Sequence, residues 1–388
     1  MENDRGDLRF RFHLINYRGD DSLQNVPLPR IEFTEPRFDP VRDVDVARRL
    51  IDAFHATERA YGDEMGAAGV WRYHAVTTFD ELLLHAQRRD AESLARLLSR
   101  TFQTKLTEGM GMGAFAFTHL HANPNPYALL WHDRALTLCV AAGSMHLENP
   151  EAGAFGTTLR ADSVAAFERL IEHFDNRVRF PQIGGCFGVR VRGDVIPLNY
   201  LQHLYAAFRM RSLCHGRTWD ALEIGGGFGG LAFAAALFGA KRYTLIDLPP
   251  VNVIQGWYLL NSELRERVVL FGEAGAARDD RIFIAGSAHM RELPADSCDI
   301  VVNQDSLPEM SRETAAEFLR LVSKVSRRYF LSLNHEHQAF GADRIRQNWV
   351  HELCRNTPGF ALDLVSRCPY WMRVGYVEEL YVKPDDRK

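Results

Sequence analysis

The 388-residue sequence is poor in the features that mark membrane, secreted or nucleic-acid-binding proteins. No window holds the roughly 18 uninterrupted apolar residues that a membrane span requires. The opening residues, MENDRGDLRFRFHLINYRGD, are charged where a signal peptide is apolar. The six cysteines, Cys139, Cys186, Cys214, Cys298, Cys354 and Cys368, include no C-x-x-C pair, so they frame neither a disulfide scaffold nor a zinc site. They read as buried thiols in a reducing compartment. Positive charge is also short: 46 Lys and Arg face 50 Asp and Glu, a net charge of -4, and no basic block or basic helix offsets it. This balance argues against a DNA or RNA partner. A cytoplasmic chain without membrane contact is expected.

Glycine, by contrast, is concentrated. Five of the six residues from Gly225 to Gly230 are glycine, inside WDALEIGGGFGGLAFAAALFGAKRYTLIDLPP, residues 219–250. The stretch reads as strand, turn, helix and second strand, since residues 221–224 and 243–246 are mainly apolar and 231–238 are rich in helix formers. Glycines let the main chain turn sharply and leave no Cβ between it and a ligand. The helix opening there points unpaired N–H groups at any docked anion. Asp247 ends the second strand, where an acid accepts hydrogen bonds from both hydroxyls of a ribose.

Two cofactor patterns overlap at this turn. Gly225, Gly227 and Gly230 satisfy the G-x-G-x-x-G of a nicotinamide or flavin site. Glu223, Gly225, Gly227 and Gly229 satisfy E-x-G-x-G-x-G, the first motif of class I S-adenosylmethionine (SAM) methyltransferases. Glu223 discriminates between them: a dinucleotide fold buries an apolar residue there, whereas a carboxylate wants a cationic partner such as the methionyl ammonium of SAM. SAM is therefore the expected cofactor, with a dinucleotide as the alternative. The residues expected around it are Glu223, Gly225, Gly226, Gly227, Phe228, Gly229, Asp247 and Leu248, joined by Ser287 and Ala288 after the third strand and Asn303 at the end of the fourth.

Upstream, residues 1–40 mix strand-like pieces (8–16 and 30–33) with Pro27, Pro29, Pro36 and Pro40, the pattern of an extended arm that drapes over a neighbouring subunit. A homodimer is expected from it. Residues 41–62 turn helical, with Val44, Ala47, Leu50, Ile51 and Phe54 on one side and Gly62 as the stop. Residues 78–102 read as a second amphipathic helix capped by Thr78. Residues 108–113 look hinge-like, and 114–121, read as extended, put His119 and His121 on one face. A metal held there would need a third ligand, and none is evident, so a hydrogen-bonded or substrate-lining pair is expected. Helices follow over 127–142 and 163–174, while 157–160 fit no element. VRVRGDVIPL signals a hairpin about Gly193 and Asp194, a join between domains from which Phe187 or Arg190 could touch substrate. Residues 198–213 form a strong helix whose Tyr200, Tyr205 and Arg209 either pack or close over the cofactor's carboxylate. A mainly helical domain, 1–195, thus precedes a cofactor domain, 196–388.

Past the glycine turn, strand and helix alternate. Pro249 and Pro250 open a helix over 251–260. Residues 281–286, 298–303 and 328–333 are the third, fourth and fifth strands, the fourth β-branched as a buried parallel strand should be. Residues 362–367 and 376–382 form an antiparallel hairpin, which a methyltransferase sheet adds and a dinucleotide fold lacks. The expected class is α/β, a Rossmann-like sheet of seven strands with the last hairpin antiparallel. Ligands of such sheets gather at the carboxyl ends of the strands, so the exits of strands one, four and five face one crevice. For methyl transfer to an alcohol, a base must take the hydroxyl proton. His335, at the exit of strand five, is the first choice, with Asp305 or Glu309 after strand four to orient it. Glu309 could equally serve the start of a helix beside Pro308, and Glu336 and His337 suit a solvent-facing place. The set Asp305, Glu309, His335 and His337 could instead hold Mg²⁺ or Mn²⁺, a reading less favoured.

In LEIGGGFGGLA, YTLIDLPPVNVIQGWYL, NQDSLPEM and, more weakly, PQIGGCFGV, across residues 181–337, the sequence resembles a bacterial family of sugar O-methyltransferases found beside antibiotic and surface-glycan gene sets. The resemblance implies the class I SAM-dependent methyltransferase fold and methyl transfer to a hydroxyl of a sugar or other small natural-product metabolite. Residues 1–175 match no motif, and acceptor choice usually resides in such an appended region. Transfer to nitrogen or carbon, an NAD-dependent oxidoreductase and a non-catalytic SAM-binding assembly subunit stand as alternatives.

Overall fold

The computed structural model of the chain describes residues 28–62, 77–146, 161–275, 278–336 and 347–384. The expected strand over 8–16, the unassigned 157–160 and His337 lie outside them. Strand β1 (Ile31–Phe33) pairs antiparallel with β2 (Phe187–Val191), which turns into β3 (Asp194–Ile196). The described end of the proline-rich arm therefore finds its partner inside its own chain. Helix α1 (Arg42–Tyr61) buries Val46, Ala47, Leu50, Ile51 and Phe54 and stops at Gly62, whose φ is +74°, as the apolar spacing predicts.

The single helix expected over 78–102 is in fact two, α2 (Asp80–Gln87) and α3 (Ala91–Leu98). Arg89 sits at φ +56° and the Asp90 side chain accepts the Ser93 amide at 3.0 Å. A left-handed residue followed by a good N-cap ends one helix and starts the next while the apolar stripe continues. Thr78 caps neither, since α2 begins after Phe79 without a side-chain cap. Half of the hinge-like stretch, residues 108–110, is the end of a 3-10 helix, Lys105–Met110, which stops at Gly111 in the left-handed region. Residues 114–121 are helical rather than extended, forming α4 (Ala114–Ala122). Positions two apart on a helix diverge by about 200°, so His119 and His121 do not share a face. His119 stacks on Phe115 and His121 Nδ1 lies 2.9 Å from the Phe117 carbonyl oxygen. Helices α5 (Asn125–Ala141), α6 (Ser163–His173) and α7 (Leu198–Leu213) fall where the sequence puts them.

The main sheet contains β4 (Trp219–Ile224), β5 (Ala240–Asp247), β6 (Val268–Leu270), β7 (Arg281–Gly286), β8 (Cys298–Gln304), β9 (Ser326–His335), β10 (Asp363–Pro369) and β11 (Tyr376–Val382). Their order is β10-β11-β9-β8-β4-β5-β7-β6, eight strands rather than seven. The extra strand, β6, is three residues at the edge, too short to carry a periodicity. Strands β4 to β9 are mutually parallel, and β11 is inserted antiparallel between β9 and β10.

Alternate strand residues feed opposite faces. Ala221, Tyr243, Leu245, Ile300 and Val302 join the core beneath α7, α8 (Gly230–Phe238), α9 (Pro249–Leu260) and the N-terminal helices. Leu222, Ile224, Ile246 and Val301 join the core on the other face, where α10 (Ser306–Glu309), α11 (Arg312–Val325) and α12 (Val350–Asn356) lie. The helical N-terminal half is welded to the sheet. Gly256 of α9 leaves room for Leu50 of α1, since a Cβ there would stand 2.3 Å from Leu50 Cδ2. Arg49 donates twice to Glu273, at 2.8 and 3.0 Å. Among the described residues no helix is long and apolar enough to cross a membrane.

Candidate active site

The strand order reverses beside β4, which has β5 on one side and β8 on the other. At such a switch point the connections leave in opposite directions and open a crevice beyond the carboxyl ends of the strands. A cavity of about 680 Å³ occupies it, with Gly225, Gly226, Gly227 and Phe228 after β4, Asp247 and Leu248 after β5, and Ser287 and Ala288 after β7 in its wall. Asp305, Glu309 and His335 also line it. Loops and helices from the N-terminal half close it from above, through Tyr61, Met110 and Arg134.

The glycine bend is forced by its surroundings. Gly225, Gly227 and Gly229 take φ of +73°, +54° and +91°, a region that side chains enter only with strain. A Cβ on Gly225 would meet Ser306 Oγ at 2.2 Å, and one on Gly226 would meet Leu245 Cδ2 at 2.3 Å. At Gly227 the nearest atom to such a Cβ is Met110 Cγ at 3.8 Å, so this glycine presents bare main chain to the cavity. Beneath it Glu223, 3% exposed, accepts the Tyr243 hydroxyl at 2.8 Å. Burial pushes its carboxyl up to about 8 against that hydrogen bond, and the nearby Asp247 adds to the rise. Asp247 accepts the Leu248 amide and the Gln255 side-chain amide, both at 2.8 Å. Burial still lifts it to about 7, while those bonds and the Gly226 and Gly227 amides pull it down. Two buried carboxyls, neither paired with a cation among the described residues, make this end of the cavity receptive to positive charge and to hydroxyl donors.

The other end is built around Arg373, from the turn before β11. It donates to Asp305 at 2.6 Å and to the Gln202 side-chain oxygen at 3.4 Å, and its guanidinium lies 3.8 Å from the centre of the Tyr376 ring. Asp305 adopts φ +70°, which Asp tolerates better than most residues. Burial is the main reason the Tyr376 phenol is held well above its usual range; Arg373 pulls the other way and Asp305 adds to the rise. His335, 5% exposed, stands edge-on to Tyr376 with ring centroids 5.6 Å apart. It belongs to β9 itself, which runs two residues beyond the expected strand end. A rigid strand therefore positions its ring.

Of the residues expected at the cofactor, Gly229 and Asn303 do not line the cavity. Gly229 caps α8 and faces Leu259. Asn303 is fully buried, its amide donating to the Ile224 carbonyl at 2.9 Å and to Ser306 Oγ at 2.5 Å, so it ties the ends of β4 and β8 together. Tyr205 and Arg209 pack against the hairpin, donating to Glu378 at 2.5 and 2.8 Å, and Tyr200 is buried. Neither Phe187 nor Arg190 reaches the cavity wall, Arg190 being paired with Glu32 at 2.6 Å. The same helix α7 instead turns Asn199, Gln202 and His203 to the cavity. That polar stripe at i, i+3 and i+4, within an otherwise mainly apolar first half of the helix, is a signal the sequence held. Burial drives the His203 imidazole down to about 4, so it is neutral. Among the described residues no group of three or more His, Cys, Asp or Glu could hold a metal ion.

No protein-family model matches the sequence, and no curated protein matches it. Solved structures of methyltransferases are similar to it. Magnesium protoporphyrin IX methyltransferase from Synechocystis PCC 6803 with bound SAM is 13% identical, with 48% of this chain and 80% of that chain covered and a TM-score of 0.33. The 1,6-didemethyltoxoflavin-N1-methyltransferase of Burkholderia thailandensis is 15% identical over 47% and 78%, TM-score 0.33. The glycopeptide N-methyltransferase MtfA is 17% identical over 47% and 90%, TM-score 0.33. Strand order decides the fold without them: a doubly wound parallel sheet with β11 inserted antiparallel is the Rossmann-like methyltransferase sheet, here joined to a mainly helical N-terminal half.

Proposed function

We propose that the chain is a SAM-dependent methyltransferase that transfers a methyl group to a hydroxyl of a sugar or other small metabolite. The observation that carries this reading is the pair of raised carboxyls, Glu223 and Asp247, on either side of a glycine bend that opens into the cavity. They fit SAM, an organic cation carrying a ribose, better than a dinucleotide, whose pyrophosphate would oppose the ionisation of Glu223 that a cation favours. Glu223 would hold the methionyl ammonium and Asp247 the ribose hydroxyls, with Leu248, Ser287 and Ala288 beside the adenine. SAM bound there supplies an electrophilic methyl group.

The chain's own part is to orient the acceptor and to manage one proton. His335 takes the proton of the acceptor hydroxyl at an imidazole nitrogen, a step that contributes about a hundredfold to ten-thousandfold. Asp305 acts on it indirectly, by holding Arg373 beneath the Tyr376 ring that flanks His335. Glu309, in the same wall, orients the acceptor. The test is incubation with methyl-labelled SAM and a metabolite extract, followed by mass spectrometry and by NMR of the labelled product. A label on oxygen supports the reading, and a label on nitrogen or carbon overturns its O-specific part. Binding of NADH in place of SAM, measured by calorimetry, overturns the whole.

A further inference from the structure

The roof of the cavity carries a charge that the described chain does not balance. Arg134, on α5, is 8% exposed and lines the cavity, yet it forms no hydrogen bond or ion pair among the described residues. The other two arginines of the wall are held, Arg373 by Asp305 and Gln202, and Arg291 by Glu317 at 2.6 Å. A guanidinium taken out of water without a partner is costly, and a second one nearby raises the cost. Burial and the repulsion of Arg373 pull the Arg134 guanidinium down to about 10, with Tyr370, Asp133 and Tyr127 opposing, so it stays charged at neutral pH. Its unused donors form a planar fork that matches a carboxylate or a phosphate. Electrostatically it is coupled to Arg373 and Tyr370, and Arg373 in turn lies against the Tyr376 ring that flanks His335.

We propose that the acceptor is an anion, a small metabolite carrying a carboxylate or phosphate that Arg134 holds in the roof of the cavity while its hydroxyl lies at His335. The proposal rests on the methyltransferase reading, and the donor's own methionyl carboxylate is the rival source of the anion. The full chain is titrated with inorganic phosphate by calorimetry, both free and saturated with S-adenosylhomocysteine (SAH), as wild type, Arg134→Met and Arg134→Lys. The expected result is that phosphate binds wild type with or without SAH, and that Arg134→Met weakens it about tenfold or more. Arg134→Lys, which keeps the charge but not the planar fork, should fall between wild type and Arg134→Met, and SAH binding should be unchanged in both variants. Arg134→Met removes an unpaired buried charge, so its melting temperature should not fall. Phosphate excluded by SAH, together with weaker SAH binding in Arg134→Met, assigns Arg134 to the donor and overturns the proposal. Phosphate binding that is absent, or equal in wild type and Arg134→Met, overturns it as well. Failure of SAH to bind wild type sinks the methyltransferase reading instead, with the phosphate arm on free protein still reporting on Arg134.

Discussion

At the scale of single residues, Glu223 shows how a ligand's charge is written into an unfavourable group. Its carboxyl keeps a proton to about pH 8 in the folded chain, against 4.5 when exposed. Between those values the folded state holds more protons than the unfolded one, so the ligand-free protein should lose stability as pH rises from about 4.5 to 8. Asp247 acts in the same direction between 3.8 and about 7. Thermal melts across that range should show a falling midpoint. Glu223→Gln should flatten the fall and, at pH 8, stabilise the free protein by on the order of 1–3 kcal/mol. The same substitution should weaken SAM binding by about tenfold or more; unchanged affinity would remove Glu223 from the site. His335→Ala should behave oppositely, lowering kcat by about a hundredfold or more with SAM affinity intact. Full turnover by that variant would move the base elsewhere.

At the scale of elements, the turn between β4 and α8 is where conformation and contact reinforce each other. Gly225→Ala would need φ +73° and would drive a methyl group into Ser306, itself tied to the Ile224 carbonyl at 3.1 Å. A loss of about 2 kcal/mol or more is expected in denaturant unfolding. Gly227→Ala meets backbone strain but an open cavity, so about 1 kcal/mol of stability and a much larger share of SAM affinity should go. A greater stability loss at Gly227 than at Gly225 would contradict the contacts described. The split of α2 from α3 teaches a related lesson. The apolar stripe runs across both helices, and only the local chemistry of Arg89 and Asp90 interrupts it. Asp90→Ala should cost about 1 kcal/mol.

At the scale of the whole molecule, one hydrophobic core runs from α1 through α9 to the sheet. Leu50→Ala, which empties the space Gly256 leaves for it, should cost about 2–5 kcal/mol. Because that contact joins the two halves, calorimetry should still show one unfolding transition; two transitions would mean that the helical half melts alone. The sequence by itself determined what depends on near neighbours: the glycine bend, the acids at Glu223 and Asp247, the β-branched parallel strands and the closing hairpin all announce themselves within a few residues. The edge strand β6 and the helical state of His119 and His121 escaped, because three residues carry no period and packing overrode an alternation. Of the far wall of the cavity, Asp305 and His335 were legible as strand exits, but only the tertiary structure decided the arginines. Arg134 and Arg373 lie on widely separated segments, and what makes each of them matter is burial and the presence or absence of a partner, quantities that exist only once the chain has closed around them.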